Sequence, residues 1–127
     1  MSLSITRLSF NKGELKTVAG ETVATWRLFR PDRSGAVSVF RIDGLDEQGI
    51  WGHADEYFDR VNQTMRGRGD FAESDIEGTD LTFTLDETPP RHGEIAGWPE
   101  RGTPLHKEVA ENLASECKGV LRPEQSG

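Results

Sequence analysis

The chain has 127 residues, 34% of them hydrophobic, with 14 glycines and a net charge of −7 from 22 acidic residues against 15 Lys and Arg. This length supports one domain with its own core, and no run of about 18 apolar residues exists to cross a membrane. The acidity argues against general binding to phosphate backbones, and the lone Cys117 excludes an intrachain disulfide or a thiolate zinc framework.

The first segment, 3–10, alternates in Leu3 and Ile5 before shifting to Leu8 and Phe10, and reads as a strand. Asn11-Lys12-Gly13 supplies turn chemistry, so 14–19 is expected to return as the second arm of a hairpin. Continuous β-branched and aromatic residues over 22–30 predict a strand. The Pro31–Gly35 turn then leads to a second strand at 36–42, and the pair reads as an antiparallel hairpin. Trp51, Ala54, Phe58, Val61 and Met65 recur every three or four residues, which predicts a helix over 53–66 that ends at Gly67-Arg68-Gly69. Residues 70–80 are acidic and read as irregular. Leu81, Phe83 and Leu85 alternate with polar residues over 81–86, a half-buried strand. Pro89-Pro90 forces a loop, and 92–98 forms another short strand. Thr103 is a helix N-cap with Pro104 at the first helical position, and Leu105, Val109, Leu113 and Cys117 mark a helix over 103–118 closed by Gly119.

These elements predict a single α+β domain over 1–121 with a frayed tail at 122–127. An antiparallel sheet of about four to six strands (3–10, 22–30, 36–42, 81–86 and 92–98) would carry two helices on one face. The N-terminal segment has no continuous apolar stretch of the kind a secretory signal needs, which points to the cytoplasm.

Charge is segregated. Residues 1–45 hold 7 basic and 4 acidic side chains, 46–100 hold 4 basic and 14 acidic, and 101–127 hold 4 of each. Arg27, Arg30, Arg33 and Arg41 form a basic group that would meet the acidic region of the same chain or an acidic partner, or simply face solvent.

The segment His92-Gly-Glu-Ile-Ala-Gly-Trp-Pro99, preceded by Ser38-Val39-Phe40 and followed by a helix containing Lys107, Val109, Ala110, Leu113 and Ala114, resembles a family of small, uncharacterised bacterial proteins. Its members carry a His-Ala-x-Ile-x-Gly-(Trp or Leu)-Pro strand and a C-terminal helix; Gly93 departs from the usual Ala. The resemblance spans 36–118. It implies a bacterial source and one folded unit, and lends no activity, cofactor or catalytic residue.

Two histidines and two carboxylates suggest a divalent-metal set: His53 and Glu56 share a helix face, and His92 and Glu94 share a strand face. The alternative is that helix-start acids answer the dipole and His92, after Pro-Pro-Arg, only caps a strand end. The acidic stretch Glu73–Asp80 fits the first half of a calcium loop, but position twelve is Thr84 and the exit is a strand, so a solvated turn is the better reading. Cys117 falls on an apolar stripe and reads as an inert thiol. Trp98 is either a partner anchor or a packed strand-end residue. Neither a phosphate-binding glycine loop nor a G-x-S-x-G elbow is present.

The sequence therefore predicts no catalytic residue, no resident metal and no cofactor. The expected function is a non-enzymatic accessory or protein-interaction module of the bacterial cytoplasm, with an unidentified protein partner, no membrane contact and no direct nucleic-acid binding. Two other classes stay open. One is a small metal-dependent hydrolase using His53, Glu56, His92 and Glu94. The other is an acidic nucleic-acid mimic that binds a basic protein.

Overall fold

Two strands at the centre of the molecule bury apolar side chains on both faces, and this sets the architecture. In the computed structural model, which describes residues 2–123, β1 (Ser4–Ser9) and β4 (Val37–Arg41) lie side by side within an antiparallel sheet. Ile5, Val37 and Val39 point into one core, while Leu8 and Phe40 point into another. A sheet covered on both sides needs a layer on each. The remaining strands are β5 (Gly67–Ala72), β6 (Thr82–Leu85), β7 (His92–Ala96) and β8 (Lys118–Leu121), in the order β6-β7-β4-β1-β5-β8. A separate hairpin pairs β2 (Leu15–Val18) with β3 (Glu21–Ala24).

The expected α+β class and strand number hold, but the two helices do not share a face. Helix α1 (Glu47–Tyr57) covers the side of Leu8, Phe10 and Phe40 with Ile50, Trp51 and Ala54. Helix α2 (Pro104–Ser115) covers the side of Ile5, Val39 and Phe71 with Ala110, Leu113 and Ala114. The physical reason is the shift from Ile5 to Leu8 in β1 and the adjacent Val39 and Phe40 in β4, which place large apolar groups on both faces.

The first helix begins six residues earlier than 53–66 and ends earlier as well. Asp46 caps it by accepting from the Gly49 N–H at 2.7 Å, despite glycines at 49 and 52. Val61 is 88% exposed, so the periodic stripe stops at Phe58; Met65 reaches the same core from a loop.

Three strand expectations also change. Glu14 is buried, and its Oε1 accepts from Ser9 Oγ and from the Phe10 and Asn11 N–H groups at 2.9–3.0 Å. This turns the chain out of the sheet, so β2 pairs with β3 through the left-handed Ala19-Gly20 turn rather than with β1. The 22–30 strand divides, because Thr25 caps a 3-10 turn at Trp26–Phe29. The Pro31–Gly35 turn does not join a hairpin; β4 instead enters the sheet between β1 and β7.

Residues 67–72, read as a helix end and loop, form β5, and Gly119 lies in β8 rather than at a helix cap. The glycines match the hairpin and the 3-10 turn packed over them. A Cβ at Gly69 would sit 2.6 Å from Leu28 Cδ2, and one at Gly119 would sit 2.7 Å from the Thr22 carbonyl oxygen. The C-terminal helix behaves as expected from Thr103, whose hydroxyl accepts from the His106 N–H at 3.2 Å. Within the expected tail, Arg122 is tied down by a two-pronged pair with Asp55 at 2.6 and 2.7 Å; positions 124–127 lie outside the described residues. No helix is long and apolar enough to cross a membrane among the described residues.

Candidate functional site

The four residues of the alternative metal set do not form one group among the described residues. His92 and Glu94 do share one face of β7, on the α1 side of the sheet, but the third member of their group is Asp86. The ligand atoms of Asp86, His92 and Glu94 lie within 4.8 Å of one another. His53 instead donates its Nε2–H to the Pro90 carbonyl at 2.8 Å. Its ring packs on Phe40, Tyr57 and Phe58. Glu56 is exposed and joins no such group among the described residues.

Around His92 a directional chain of hydrogen bonds is present. Asp86 Oδ1 lies 2.7 Å from His92 Nδ1, and His92 Nε2 lies 2.8 Å from Ser38 Oγ. An ionised carboxylate only accepts, so Nδ1 carries the proton of the neutral ring and Nε2 accepts from the Ser38 hydroxyl. The Asp86 carboxyl is held below its ordinary range, first by the Thr88 N–H and then by His92. The β6–β7 hairpin brings Asp86 next to His92, and the β4–β7 register sets Ser38 opposite Glu94 and Phe40 opposite His92. His92 is buried, with Phe58 stacked at 6.0 Å between ring centres.

Next to Ser38 the sheet opens. The β1–β4 pairing covers Ile5↔Arg41 and Thr6↔Phe40. Past that point the Arg7 guanidinium donates to the Ser38 carbonyl at 2.9 Å and to the Leu28 carbonyl at 3.1 Å. Burial lowers the Arg7 pKa to about 10. A pocket of about 240 Å³ lies there, with Ser38, Phe40, Tyr57, Phe58 and Arg60 on its wall.

The second feature lies on the α2 side. A groove of about 410 Å³ runs between α2 and the 75–81 segment. Leu81, Pro99, Leu105, Val109 and Leu113 line it together with Asp75, Asp80 and Glu116, with no Lys or Arg among the lining residues. Leu105 is 58% exposed. The acidic stretch 73–80 thus forms one wall of this groove. Its Asp75 accepts from the Ala72 N–H at 2.8 Å, and Ile76 anchors it in the core.

Part of the remaining acidity is neutralised within the chain. Arg68, 1% exposed, pairs with Glu47 at 2.5 and 3.0 Å and with Asp70 at 3.0 Å, and lies over the Trp51 ring at 4.8 Å. Arg68 and Arg122 hold the Glu47 and Asp55 carboxyls below their ordinary range. Arg41 pairs with Glu87 at 2.8 Å, the one member of the predicted arginine group that meets an acid of the 46–100 region among the described residues. Trp98 takes the packed arrangement: it stacks on Phe29 at 6.0 Å and donates its indole N–H to the Ile95 carbonyl at 2.9 Å. Burial pushes the Cys117 thiol well above its usual range, as expected for an unreactive sulfur.

No family model, curated protein or solved structure matches the chain.

Proposed function

We propose that the protein is an interaction module that docks a basic, partly apolar segment of another protein in the groove beside α2. The observation that carries this reading is that one groove is lined by both apolar side chains and the carboxylates of Asp75, Asp80 and Glu116. Apolar side chains of the segment would fill the groove, and its Lys or Arg groups would meet the carboxylates. The resemblance of 36–118 to small bacterial proteins and the single cysteine support a setting in the bacterial cytoplasm. Nucleic-acid mimicry has less support, since Glu47, Asp55, Asp70, Asp86 and Glu87 are paired with cations or His92 rather than arrayed free. A metal-dependent hydrolase retains His92 and Glu94 from its expected set, but both ring nitrogens of His92 are already engaged.

Fluorescence anisotropy with a labelled amphipathic Lys/Leu peptide tests the reading, with a Glu/Leu peptide of the same length as control. Binding should weaken with salt. It should fall about tenfold in Leu105→Glu and several-fold in Asp80→Asn, both at exposed positions that leave the fold intact. Equal binding of both peptides, or no change in either variant, would overturn it.

A further inference from the structure

We propose that Ser38 is an acyl-accepting nucleophile, activated by His92 and Asp86, for short-chain carboxylic esters that enter the pocket beside Tyr57 and Arg60. This goes beyond the docking reading and is independent of it, since the two sites lie on opposite faces of the sheet.

The geometry is that of a nucleophile, a base and an orienting carboxylate in sequence. Ser38 Oγ lies 2.8 Å from His92 Nε2, and His92 Nδ1 lies 2.7 Å from Asp86. Such a set is recognised by its distances and roles, not by its order along the chain. The proton on Nδ1 keeps the lone pair of Nε2 aimed at the serine. As Ser38 Oγ bonds to the acyl carbon, its proton passes to Nε2 and the carbonyl becomes an oxyanion. Breaking the acyl C–O bond releases the alcohol, which takes that proton from Nε2. Water then attacks the acyl-serine, giving a proton to Nε2 and hydroxide to the acyl carbon. The carboxylic acid leaves as Ser38 recovers its proton.

Two further observations favour chemistry over a purely structural network. Ser38 lines a pocket rather than sealed core, and its volume of about 240 Å³ suits a small acyl group. Leu8, Phe40 and Phe58 give it apolar lining, and Tyr57 and Arg60, whose side chains carry hydrogen-bond donors, line it as well; the Arg60 guanidinium lies over the Phe10 ring at 4.3 Å. Because Ser38 lies inside β4, opposite Glu94 of β7, the oxyanion falls to those side chains rather than to a backbone turn.

The test combines a fluorophosphonate probe, mapped by peptide mass spectrometry, with hydrolysis of p-nitrophenyl acetate. The native protein should form one adduct, at Ser38, as fluoride leaves. Ser38→Ala should lose the adduct, and His92→Ala should label about 100-fold more slowly. Asp86→Asn probes orientation: at this partly exposed position the fold should survive, while an amide that donates to Nδ1 would reverse the tautomer and cut the rate at least as far. Circular dichroism and thermal melts confirm that each variant is folded. Labelling of Ser38 no faster than in urea-unfolded protein would overturn the proposal. So would an ester rate unchanged in Ser38→Ala, or labelling indifferent to His92→Ala and Asp86→Asn in folded protein.

Discussion

The two faces of the sheet are stabilised by different chemistry. The α2 face is built from apolar contacts: Ile5, Phe29, Val39, Phe71, Ile95 and Leu113 lie together, with the Phe29 and Phe71 rings edge to face at 5.6 Å. The α1 face has a smaller apolar cluster and is completed by charges, with Trp51 contacted by both Arg68 and Arg122 at 4.8 and 5.4 Å. Apolar burial is non-directional and tolerates pH and salt. Guanidinium–carboxylate pairs fix geometry but depend on both partners being present and ionised. The lesson is that the face with less oil uses arginine as its filler: the Arg68 side chain covers Trp51 while its head is satisfied by Glu47 and Asp70.

The largest expected effect is on the apolar face. Phe29→Ala should cost about 4 kcal/mol, as a fully buried ring leaves a cavity beneath Trp98 and Phe71. Urea denaturation should give the same loss at neutral and at mildly acid pH, because no charge is involved. Arg68→Ala should cost about 3 kcal/mol, since it strands Asp70 and uncovers Trp51. Arg68→Met should recover a good part of this, because Glu47 is 66% exposed and can turn to solvent. If Arg68→Met is no better than Arg68→Ala, the packing role assigned to this arginine is wrong.

The smallest effect is the pH dependence. The folded pKa values of Glu47 and Asp55 are lowered by Arg68 and Arg122. Their contribution is therefore full above the ordinary carboxylate value of about 4 and is lost as pH falls through the lowered folded values. Both carboxylates are largely solvent-facing, so the change is modest and is screened by salt. Urea midpoints should drop between about pH 6 and about pH 3, and Arg122→Leu should flatten part of that slope. An unchanged slope would mean that the Arg122–Asp55 pair adds nothing to stability.

Local chemistry made several elements legible. Thr103 and Pro104 announced α2, the alternation of 81–86 announced β6, and the proline pair announced the turn before β7. The signal for α1 was present in Asp46 but was masked by Gly49 and Gly52, whose low propensity is overridden by packing against the sheet. The strand β5 was hidden for the opposite reason. Its Gly67-Arg68-Gly69 reads as a helix end, because glycine that leaves room for the β2–β3 hairpin has the same letter as glycine that ends a helix.

The candidate chemistry divides in the same way. His92 and Glu94 were visible as a pair because strand alternation is local. Asp86, six residues earlier across the proline turn, joins His92 through a hairpin whose two strands are legible in the sequence but whose pairing and register are not. Ser38 was visible only as part of a strand; a distance of 2.8 Å across 54 residues of chain exists because β4 and β7 are neighbours in one register. The sequence by itself determined the class of fold, most of the elements and a net charge of −7 concentrated in its middle third. Tertiary structure alone decided that the helices take opposite faces, that Arg68 and Arg122 neutralise acids near them, and that Asp75, Asp80 and Glu116 gather around one groove. Periodicity and capping act over a few residues, whereas register, face and ion pairing are set by which strands meet, and that is a property of the whole chain.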